Sequence, residues 1–197
     1  MIDALVKVAA GPTDGTFDQL GLLVEGMRGG SKQALASLYQ ATVAQLHALA
    51  MAILRNAADA EDVVCATYVQ AWESASQFDR ERGPAIGWLM MMCRSRALDM
   101  RRRARLRPNA AGNDQLMLVP STDATAEDLI FLTEQTSRVR GALLSLTPER
   151  RYLISLAFLR DLTHQEIADH TSLPLGTVKS HLRRAFAQLR EQLEETR

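Results

Sequence analysis

Two helical patterns separated by a short turn lie between Leu162 and Arg190. Thr163 and Glu166 have the spacing of a capping box, in which each side chain accepts a hydrogen bond from the other residue's backbone amide. Pro174 tolerates only the first turn of a helix and disfavours helical geometry in the residue before it. The sequence therefore predicts a short helix that begins at Thr163, a turn of about three to four residues, and a second helix that starts at Pro174.

The second of these helices separates an apolar face from a polar face. At about 100° per residue, one narrow arc contains Val178, Leu182, Ala185, Leu189 and Leu193. The opposite side contains Lys179, Ser180, Arg183, Arg184 and Arg190. Such side chains suit insertion into a major groove, where Arg and Lys reach guanine edges or phosphates. An ordinary solvated face is the alternative, and this stretch alone favours the two interpretations equally.

The composition favours helices over sheets. The 197 residues include only ten aromatic side chains, and runs of β-branched residues are few. Apolar residues make up 47% of the chain, which is enough for a core, and the length suits one or two domains. The N-terminus lacks a basic segment followed by an apolar one, and no apolar run approaches about 20 residues. We therefore expect a soluble cytoplasmic protein of the all-α class.

Turn-forming residues divide the chain into two helical units. After a tail formed by residues 1–16, four helical patterns follow in residues 17–105. Residues 106–125 contain Pro, Asn, Gly, Asp, Ser and Thr without periodicity and are predicted to form a flexible linker. At about 3.3–3.6 Å per residue this linker would span up to roughly 65–70 Å, whereas one turn of duplex DNA is about 35 Å. Residues 126–197 are predicted to form the second helical domain.

The net charge of zero results from cancellation between segments of opposite charge. Residues 1–79 carry four basic and nine acidic side chains, whereas residues 80–110 carry nine basic and two acidic ones. This asymmetry indicates a positive surface for nucleic acid beside an acidic surface that meets another partner. A solvated basic helix end would also explain some of the arginines. The excess of nine basic over two acidic side chains in residues 80–110 favours a surface that binds nucleic acid.

No arrangement typical of catalysis or metal binding occurs in the sequence. Cys65 and Cys93 are too far apart for a C-x-x-C motif, so buried thiols are expected and a redox pair is the minor alternative. His164 and His170 lie six residues apart on a short helix and point in different directions. A Gly-rich phosphate loop, a G-x-S-x-G elbow and an H-E-x-x-H motif do not occur. We expect neither enzymatic activity nor a cofactor.

Both units resemble the sigma-70 family of RNA polymerase sigma factors, specifically its extracytoplasmic-function (ECF) group. The family's helix-turn-helix, which binds the −35 promoter element, is similar to a segment of the C-terminal unit of this chain, LTHQEIADHTSLPLGTVKSHLRRAFAQLR. The family's polymerase-binding helix and the −10-reading segment that follows it are similar to three successive stretches of the N-terminal unit of this chain: AEDVVCATYVQAW, FD and GWLMMMCRSRALDMRRR. The resemblance covers residues 17–195 apart from the linker. It implies a subunit that gives RNA polymerase its promoter specificity.

The resemblance implies a role for each charged segment. The −35 element would be bound by Thr177, Lys179, Ser180, His181, Arg183 and Arg184. Capture of a flipped −10 base needs a pocket and a cationic track. The resemblance implies that the −10 contacts are made by Arg80, Arg82, Arg94, Ser95, Arg96, Arg102 and Arg103. The cationic track would extend to Arg101, Arg105 and Arg107. Docking on the β′ clamp of the polymerase would use Asp59, Glu61, Asp62, Thr67 and Gln70, while the core would hold Val63, Val64, Tyr68 and Trp72.

Three positions depart from the family pattern. Ser95 stands where the family usually has Asn, His181 where it often has Arg, and Cys65 where it often has Gln. The contacts that the family makes at these positions therefore do not transfer directly to this chain.

The resemblance also implies the partners of the protein. These are promoter DNA, the β′ clamp and β flap of core RNA polymerase, and an anti-sigma factor, often membrane-tethered, that would hold the protein at the inner membrane. A small-molecule substrate is not expected, and the protein would be a monomer on polymerase. The alternative is an autonomous dimeric helix-turn-helix regulator. It would need paired half-sites and leaves the acidic and basic segments of the first unit without a role.

Overall fold

The structure, a computed structural model, describes residues 15–106 and 137–195. Within these ranges the chain forms eight α-helices and two 3₁₀ turns and contains no β-strand, which confirms the predicted all-α fold. Residues 1–14 of the predicted tail, almost all of the predicted linker and residues 126–136 of the second predicted domain lie outside the described residues. Residues 15 and 16, which the sequence placed in the tail, already belong to the first helix.

Four helices form the first unit. Their bounds are Gly15–Arg28 (α1), Lys32–Leu54 (α2), Ala57–Glu73 (α3) and Ala85–Leu106 (α4). A Schellman turn follows α1: the amide of Gly30 donates to the carbonyl of Met27 over 2.9 Å, and the amide of Ser31 donates to the carbonyl of Gly26 over 3.1 Å. Gly30 has a φ of 80°, which glycine adopts without a Cβ clash. Ser31 then caps α2 by accepting the amide of Ala34 over 3.2 Å.

The second helix is the centre of this unit and contacts α1, α3 and α4. Its buried residues recur at helical spacing and are Ala34, Leu38, Thr42, Leu46, Leu49, Ala50 and Ile53. By length and composition alone, α2 would also be apolar enough to cross a membrane. Because it packs against three neighbouring helices, we assign its apolar residues to the core of the bundle.

A buried hydrogen bond joins α2 to α3. The hydroxyl oxygens of Thr42 and Tyr68 lie 2.7 Å apart, and Thr42 Oγ1 donates to the carbonyl of Leu38 over 2.7 Å. Because a threonine hydroxyl carries a single proton, Tyr68 is the donor to Thr42. Burial raises the pKa of Tyr68 to about 12, although the bond to Thr42 lowers it. The phenol therefore stays protonated, and its ring packs against that of Tyr39 at a centroid distance of 4.9 Å.

The connection between α3 and α4 contains two 3₁₀ turns, Ala75–Gln77 and Arg80–Arg82. The next helix, α4, begins at Ala85. The carbonyl of Pro84 accepts the amide of Trp88 over 3.2 Å, which closes the first helical turn. The fixed φ of proline suits this position.

The second unit also contains four helices. They are Ser137–Ser145 (α5), Pro148–Leu159 (α6), His164–Thr171 (α7) and Leu175–Glu195 (α8). Thr147 caps α6 by accepting the amide of Arg150 over 3.4 Å, and Pro148 takes the first helical position. Residues 153–159 of α6 are buried, and α8 contacts α5, α6 and α7. One side of α8 therefore remains at the surface.

Removal of the Tyr68 hydroxyl tests the bond between α2 and α3. We expect Tyr68→Phe to lower the free energy of unfolding by about 1 kcal/mol, because the ring stays packed and one buried hydrogen bond is lost. Tyr39→Phe is the matched control, since Tyr39 is 43% exposed, and it should change this free energy by less than about 0.5 kcal/mol. Urea unfolding followed by circular dichroism measures both. Equal effects of the two substitutions would contradict the assignment.

The two cysteines differ in accessibility. Cys65 is exposed, whereas Cys93 is buried with its Sγ 3.5 Å from the carbonyl of Leu46, and burial raises the pKa of Cys93 to about 12. At about pH 8 the Cys93 thiol is therefore protonated and shielded from solvent. We expect iodoacetamide to modify only Cys65 in the native protein and both thiols after unfolding in guanidinium chloride, as measured by peptide mass spectrometry. Comparable native rates at the two sites would contradict this expectation.

Candidate functional site

The predicted helix, turn and helix are present as α7 and α8. The amide of Glu166 donates to Thr163 Oγ1 over 3.2 Å, and the amide of Thr163 donates to Glu166 Oε2 over 2.7 Å, so the capping box is confirmed. Ser172 has a φ of 57° and ends α7. The next helix begins at Leu175, one residue later than predicted, because Pro174 contributes its carbonyl to the first turn.

One face of α8 packs against the unit and the other is presented to solvent. Side chains that are at most 1% exposed are Val178, Leu182, Ala185 and Leu189. Exposed side chains on the other face are Lys179, Arg183 and Arg184, with Thr177, Ser180 and His181 half-buried. His181 lies at the border between the faces, and its Nδ1 is buried without a hydrogen-bond partner among the described residues. The predicted separation of the faces is confirmed for these residues.

The residues implied to bind polymerase lie on α3. Asn56 caps this helix by accepting the amide of Asp59 over 3.1 Å. Asp59 is half-buried, and Glu61 and Asp62 are exposed in the following turn. The positive end of the helix dipole favours carboxylates at this end. The start of α3 is therefore an accessible acidic surface, whereas Val63, Val64 and Tyr68 are buried as predicted.

Thr67 and Gln70 lie in different environments from the acidic residues. Thr67 is fully buried, and its Oγ1 donates to the carbonyl of Val63 over 2.7 Å. Its assignment as a polymerase contact is therefore corrected: it is a core residue, as its spacing of three and four residues from Val64 and Val63 also indicates. Gln70 is half-buried, and its Oε1 accepts a hydrogen bond from Arg96 Nε over 2.8 Å. This bond links the acidic helix α3 to the basic helix α4.

Arg80 attaches the second 3₁₀ turn to α1. Its Nη1 lies 3.3 Å from Glu25 Oε1. A Cβ on Gly21 would come within 2.8 Å of Arg80 Nε, so the missing side chain of this glycine leaves the space in which Arg80 lies. The arginine thereby positions the segment that enters α4.

The other basic residues of this segment lie on several faces of α4 and its preceding turn. Ser95, Arg82 and Arg103 are exposed, and Arg82 Nε lies 3.4 Å from Asp79 Oδ2. Arg96 is half-buried against α3. The side chain of Arg105 and the whole of Arg107 lie outside the described residues. The described part of the segment thus offers separate cations and not one continuous exposed stripe.

Arg94 contacts the second unit and is only 6% exposed. Its Nε donates to the carbonyl of Phe158 over 2.8 Å, and its Nη2 lies 3.4 Å from the carbonyl of Ala157 and 3.0 Å from Asp161 Oδ1. The guanidinium also lies 5.1 Å from the centroid of the Phe158 ring, within range of a cation–π interaction. Burial lowers the pKa of Arg94, whereas the hydrogen bond and charge of Asp161 raise it.

Two further arginines of α4 join the same contact. Arg101 Nη1 donates to the carbonyl of Leu159 over 3.0 Å, and Arg101 Nη2 donates to the carbonyl of Arg160. Arg102 Nη2 donates to Asp161 Oδ2. The last carbonyls of a helix lack partners within it and carry partial negative charge. We call this arrangement, formed by the three arginines and residues 157–161, the interdomain contact.

The family resemblance implied that Arg94, Arg101 and Arg102 belong to the basic DNA-binding track, whereas no motif includes Asp161. Asp161 lies 67 residues after Arg94, so no local pattern relates the two. Its φ of 53° is uncommon for a residue other than glycine, but this conformation is not visible in the sequence either. The structure thus shows that these arginines bind residues 157–161 of the same chain.

Among the described residues there is no group of three or more His, Cys, Asp or Glu side chains that could hold a metal ion. His170 Nε2 lies 3.3 Å from the hydroxyl of Tyr152, within hydrogen-bond distance.

Comparisons with known proteins match both units. The family models described as sigma-70 region 2 and sigma-70 region 4 match residues 38–107 and 142–191. The ECF RNA polymerase sigma factor SigK of Mycobacterium tuberculosis is 32% identical over 181 residues, covering 89% of this chain and 94% of that protein. SigK of Mycolicibacterium vanbaalenii is 31% identical over 165 residues, covering 81% of each chain. Among solved structures, CnrH in complex with the cytosolic domain of CnrY is 23% identical, with a TM-score of 0.42 and coverage of 90% and 98%.

These matches decide between the two functions that the sequence suggested. An autonomous dimeric regulator would account for the helix-turn-helix, but it does not explain the match to sigma-70 region 2 over α2, α3 and α4. The SigK relatives align with both units in the same order. The chain therefore belongs to the ECF group of the sigma-70 family, whose members direct core RNA polymerase to promoters and initiate transcription.

Proposed function

We propose that this sigma factor uses three separate surfaces: the start of α3 for core polymerase, the segment from Arg80 to Arg103 for the −10 element, and the exposed face of α8 for the −35 element. The observation that carries the proposal is the position of three exposed cations on α8 opposite a face that is at most 1% exposed. Because the whole chain is neutral, attraction to DNA has to come from such local clusters.

The proposed −35 surface consists of Thr177, Lys179, Ser180, His181, Arg183 and Arg184. A helix of this kind enters the major groove with its N-terminal residues against base edges. Lys179, Arg183 and Arg184 would bind phosphates or guanine edges, and Ser180 would accept or donate at a base edge. His181 would lie at the edge of the groove because it is half-buried and its Nδ1 is turned away from solvent.

The proposed −10 surface draws on the exposed residues Arg82, Ser95 and Arg103, with Arg80 and Arg96 positioned by α1 and α3. Extrusion of a base costs a few kcal/mol, and cations along the displaced strand offset part of this cost. Arg94 and Arg102 would join this surface only after they leave the interdomain contact. Ser95 offers a hydroxyl where the family usually has an amide, so recognition of the captured base would differ accordingly.

The proposed polymerase surface consists of Asp59, Glu61 and Asp62 at the start of α3 and of Gln70 about two turns further along the helix. It would face the β′ clamp. The two units, residues 17–105 and 126–197, would then occupy separate promoter elements as one monomer, the second unit also touching the β flap. The chain would be cytoplasmic and have no catalytic activity of its own. An anti-sigma factor, as is common in this group, would inhibit it and hold it at the inner membrane.

Run-off transcription with core RNA polymerase on a library of genomic fragments tests the proposed function. Active complexes should yield transcripts whose start sites share two upstream sequence elements. A chain that neither binds core polymerase nor yields specific transcripts would contradict the proposal.

Substitution of two exposed cations tests the −35 surface. Lys179→Ala combined with Arg184→Ala should reduce transcription from the selected promoters about tenfold or more and leave affinity for core polymerase unchanged, because each phosphate or base contact contributes about 1–3 kcal/mol. The matched control is Arg28→Ala combined with Lys32→Ala, which removes the same charge from exposed positions of the first unit. Loss of polymerase binding in the first double variant would contradict this division of surfaces.

Neutralisation of the acidic surface tests the polymerase contact. Glu61→Gln combined with Asp62→Asn should weaken binding to core polymerase several-fold, chiefly through a slower association rate, because charges at an interface steer encounter. Asp169→Asn combined with Glu191→Gln removes equal charge from exposed positions of the second unit and should have little effect. Surface plasmon resonance at two salt concentrations measures both rates. Equal affinities of the two double variants would argue against the acidic surface.

A further inference from the structure

A glycine lies in the middle of α1, where it lowers the stability of the helix. This helix packs on the bundle through Leu20, Val24 and Met27, which are at most 8% exposed. Gly21 lies beside this buried face and has helical backbone geometry. Glycine is less favourable than alanine inside a helix. Because the backbone here does not require glycine, the reason for it has to be the space that a side chain would fill.

The guanidinium of Arg80 fills that space. A Cβ added to Gly21 would lie 2.8 Å from Arg80 Nε, 3.1 Å from Nη2 and 3.3 Å from Cζ. One helical turn later on the same face, Glu25 Oε1 lies 3.3 Å from Arg80 Nη1. The glycine thus makes room for the guanidinium, and the glutamate supplies its counter-charge. We call Gly21 and Glu25 together the α1 cradle.

The cradle contacts the second 3₁₀ turn between two fixed points of the chain. Before the turn, the buried ring of Phe78 packs on that of Trp88 at a centroid distance of 5.2 Å. Asp79 caps the turn, because its Oδ1 accepts the amide of Glu81 over 2.9 Å. The side chain of Arg80 reaches across to α1. The contact between Arg80 and the cradle therefore sets the position of the turn relative to α1.

We propose that the α1 cradle is a positioning element for promoter recognition: it holds Arg80, and through it the second 3₁₀ turn, in the place where the flipped −10 base is captured. The proposal rests on the proposed role of the segment from Arg80 to Arg103. Gly21 and Glu25 precede residues 38–107, which the model of sigma-70 region 2 matches. That match therefore assigns no role to the cradle.

The exposure of the ion pair points to positioning rather than to stability. The side chains of Arg80 and Glu25 are 38% and 41% exposed, and ion pairs in contact with solvent add little to folding. A site that receives an unstacked base gains more from such a contact, because a turn that is already in place needs less ordering when the base enters.

Gly21→Ala is the variant that separates these two roles. The added methyl group would displace the guanidinium, which is the end of a flexible side chain, and leave the helix in place. We expect an equal or higher Tm, because alanine favours the helix, together with a loss of function. Gly141→Ala is the matched control, since Gly141 lies within α5 and a Cβ there would meet no atom within 4 Å. Loss of function with a lowered Tm would indicate a structural role and overturn the proposal.

The first measurement is transcription by the assembled holoenzyme on promoters that carry each of the four bases at the −10 position where the parent chain discriminates most. With the preferred base, Gly21→Ala should yield about tenfold less transcript, because small misplacements of a recognition group are costly. Gly141→Ala should stay within about twofold of the parent chain. Equal yields from Gly21→Ala and the parent chain would overturn the proposal.

A promoter without a base at this position of the non-template strand isolates the capture step. On this template Gly21→Ala and the parent chain should differ by less than about twofold, because no base remains for the turn to receive. A tenfold deficit that persists here would show that the substitution acts elsewhere, which overturns the proposal. Weaker binding of Gly21→Ala to core polymerase, measured by surface plasmon resonance, would overturn it as well.

A double-mutant cycle tests whether Glu25 acts through Arg80. Glu25→Gln should reduce discrimination between the four bases up to about fivefold, the range for an exposed ion pair. In a chain that already carries Arg80→Gln, the same substitution should have no further effect, because the two residues share one interaction. Additive losses would show that Glu25 acts independently of Arg80 and would overturn the proposal.

The parent chain separates this inference from the proposed function. A parent chain that yields no specific transcripts with core polymerase, or has no base preference in the −10 element, would reject the proposed function itself. A parent chain that transcribes selectively, combined with full selectivity in Gly21→Ala, would overturn only the role of the α1 cradle.

Discussion

The guanidinium of Arg94 joins the two helical units, and the arrangement of the described chain depends on how it is bound. A buried cation is unfavourable unless acceptors replace its water. Here two backbone carbonyls, one carboxylate and an aromatic ring surround the guanidinium. Because removal of one partner leaves a buried charge without compensation, the units dock in one specific geometry rather than through general apolar attraction.

Within each unit, stability comes from amphipathic helices around a small core. The first bundle is organised around α2, whose buried face meets three helices, and the bond between Thr42 and Tyr68 fixes it to α3. The second bundle surrounds α6, which is buried over residues 153–159. In both, the apolar positions are used for packing, so polar faces of α3 and α8 remain accessible. Rigid support beneath an exposed polar face is what recognition of DNA or polymerase requires.

Surfaces of opposite charge are neighbours in the first unit. The hydrogen bond between Gln70 and Arg96 connects the acidic helix to the basic one, and Arg80 connects the entry of α4 to α1. A partner that binds α3 therefore also holds the helix that carries the proposed −10 residues. With the surfaces assigned as proposed, such proximity would let a neutral chain serve a polymerase and a nucleic acid at once, because each would meet a local charge and not the net charge.

The sequence by itself determined the elements and their local ends. The capping box of Thr163, the proline at the start of α6 and the faces of α8 follow from interactions within one or two helical turns, which local patterns describe. The spacing of α3 also contained the signal that Thr67 is buried, although the family likeness pointed to the surface. Only the tertiary structure decided where Arg94, Arg101 and Arg102 lie, because helical periodicity defines a polar face without defining what that face meets. Their partners follow some 60 residues later in the chain. The contact forms only once both units have folded, because only then do the hydrogen bonds and the charge of Asp161 compensate for the desolvation of the arginines.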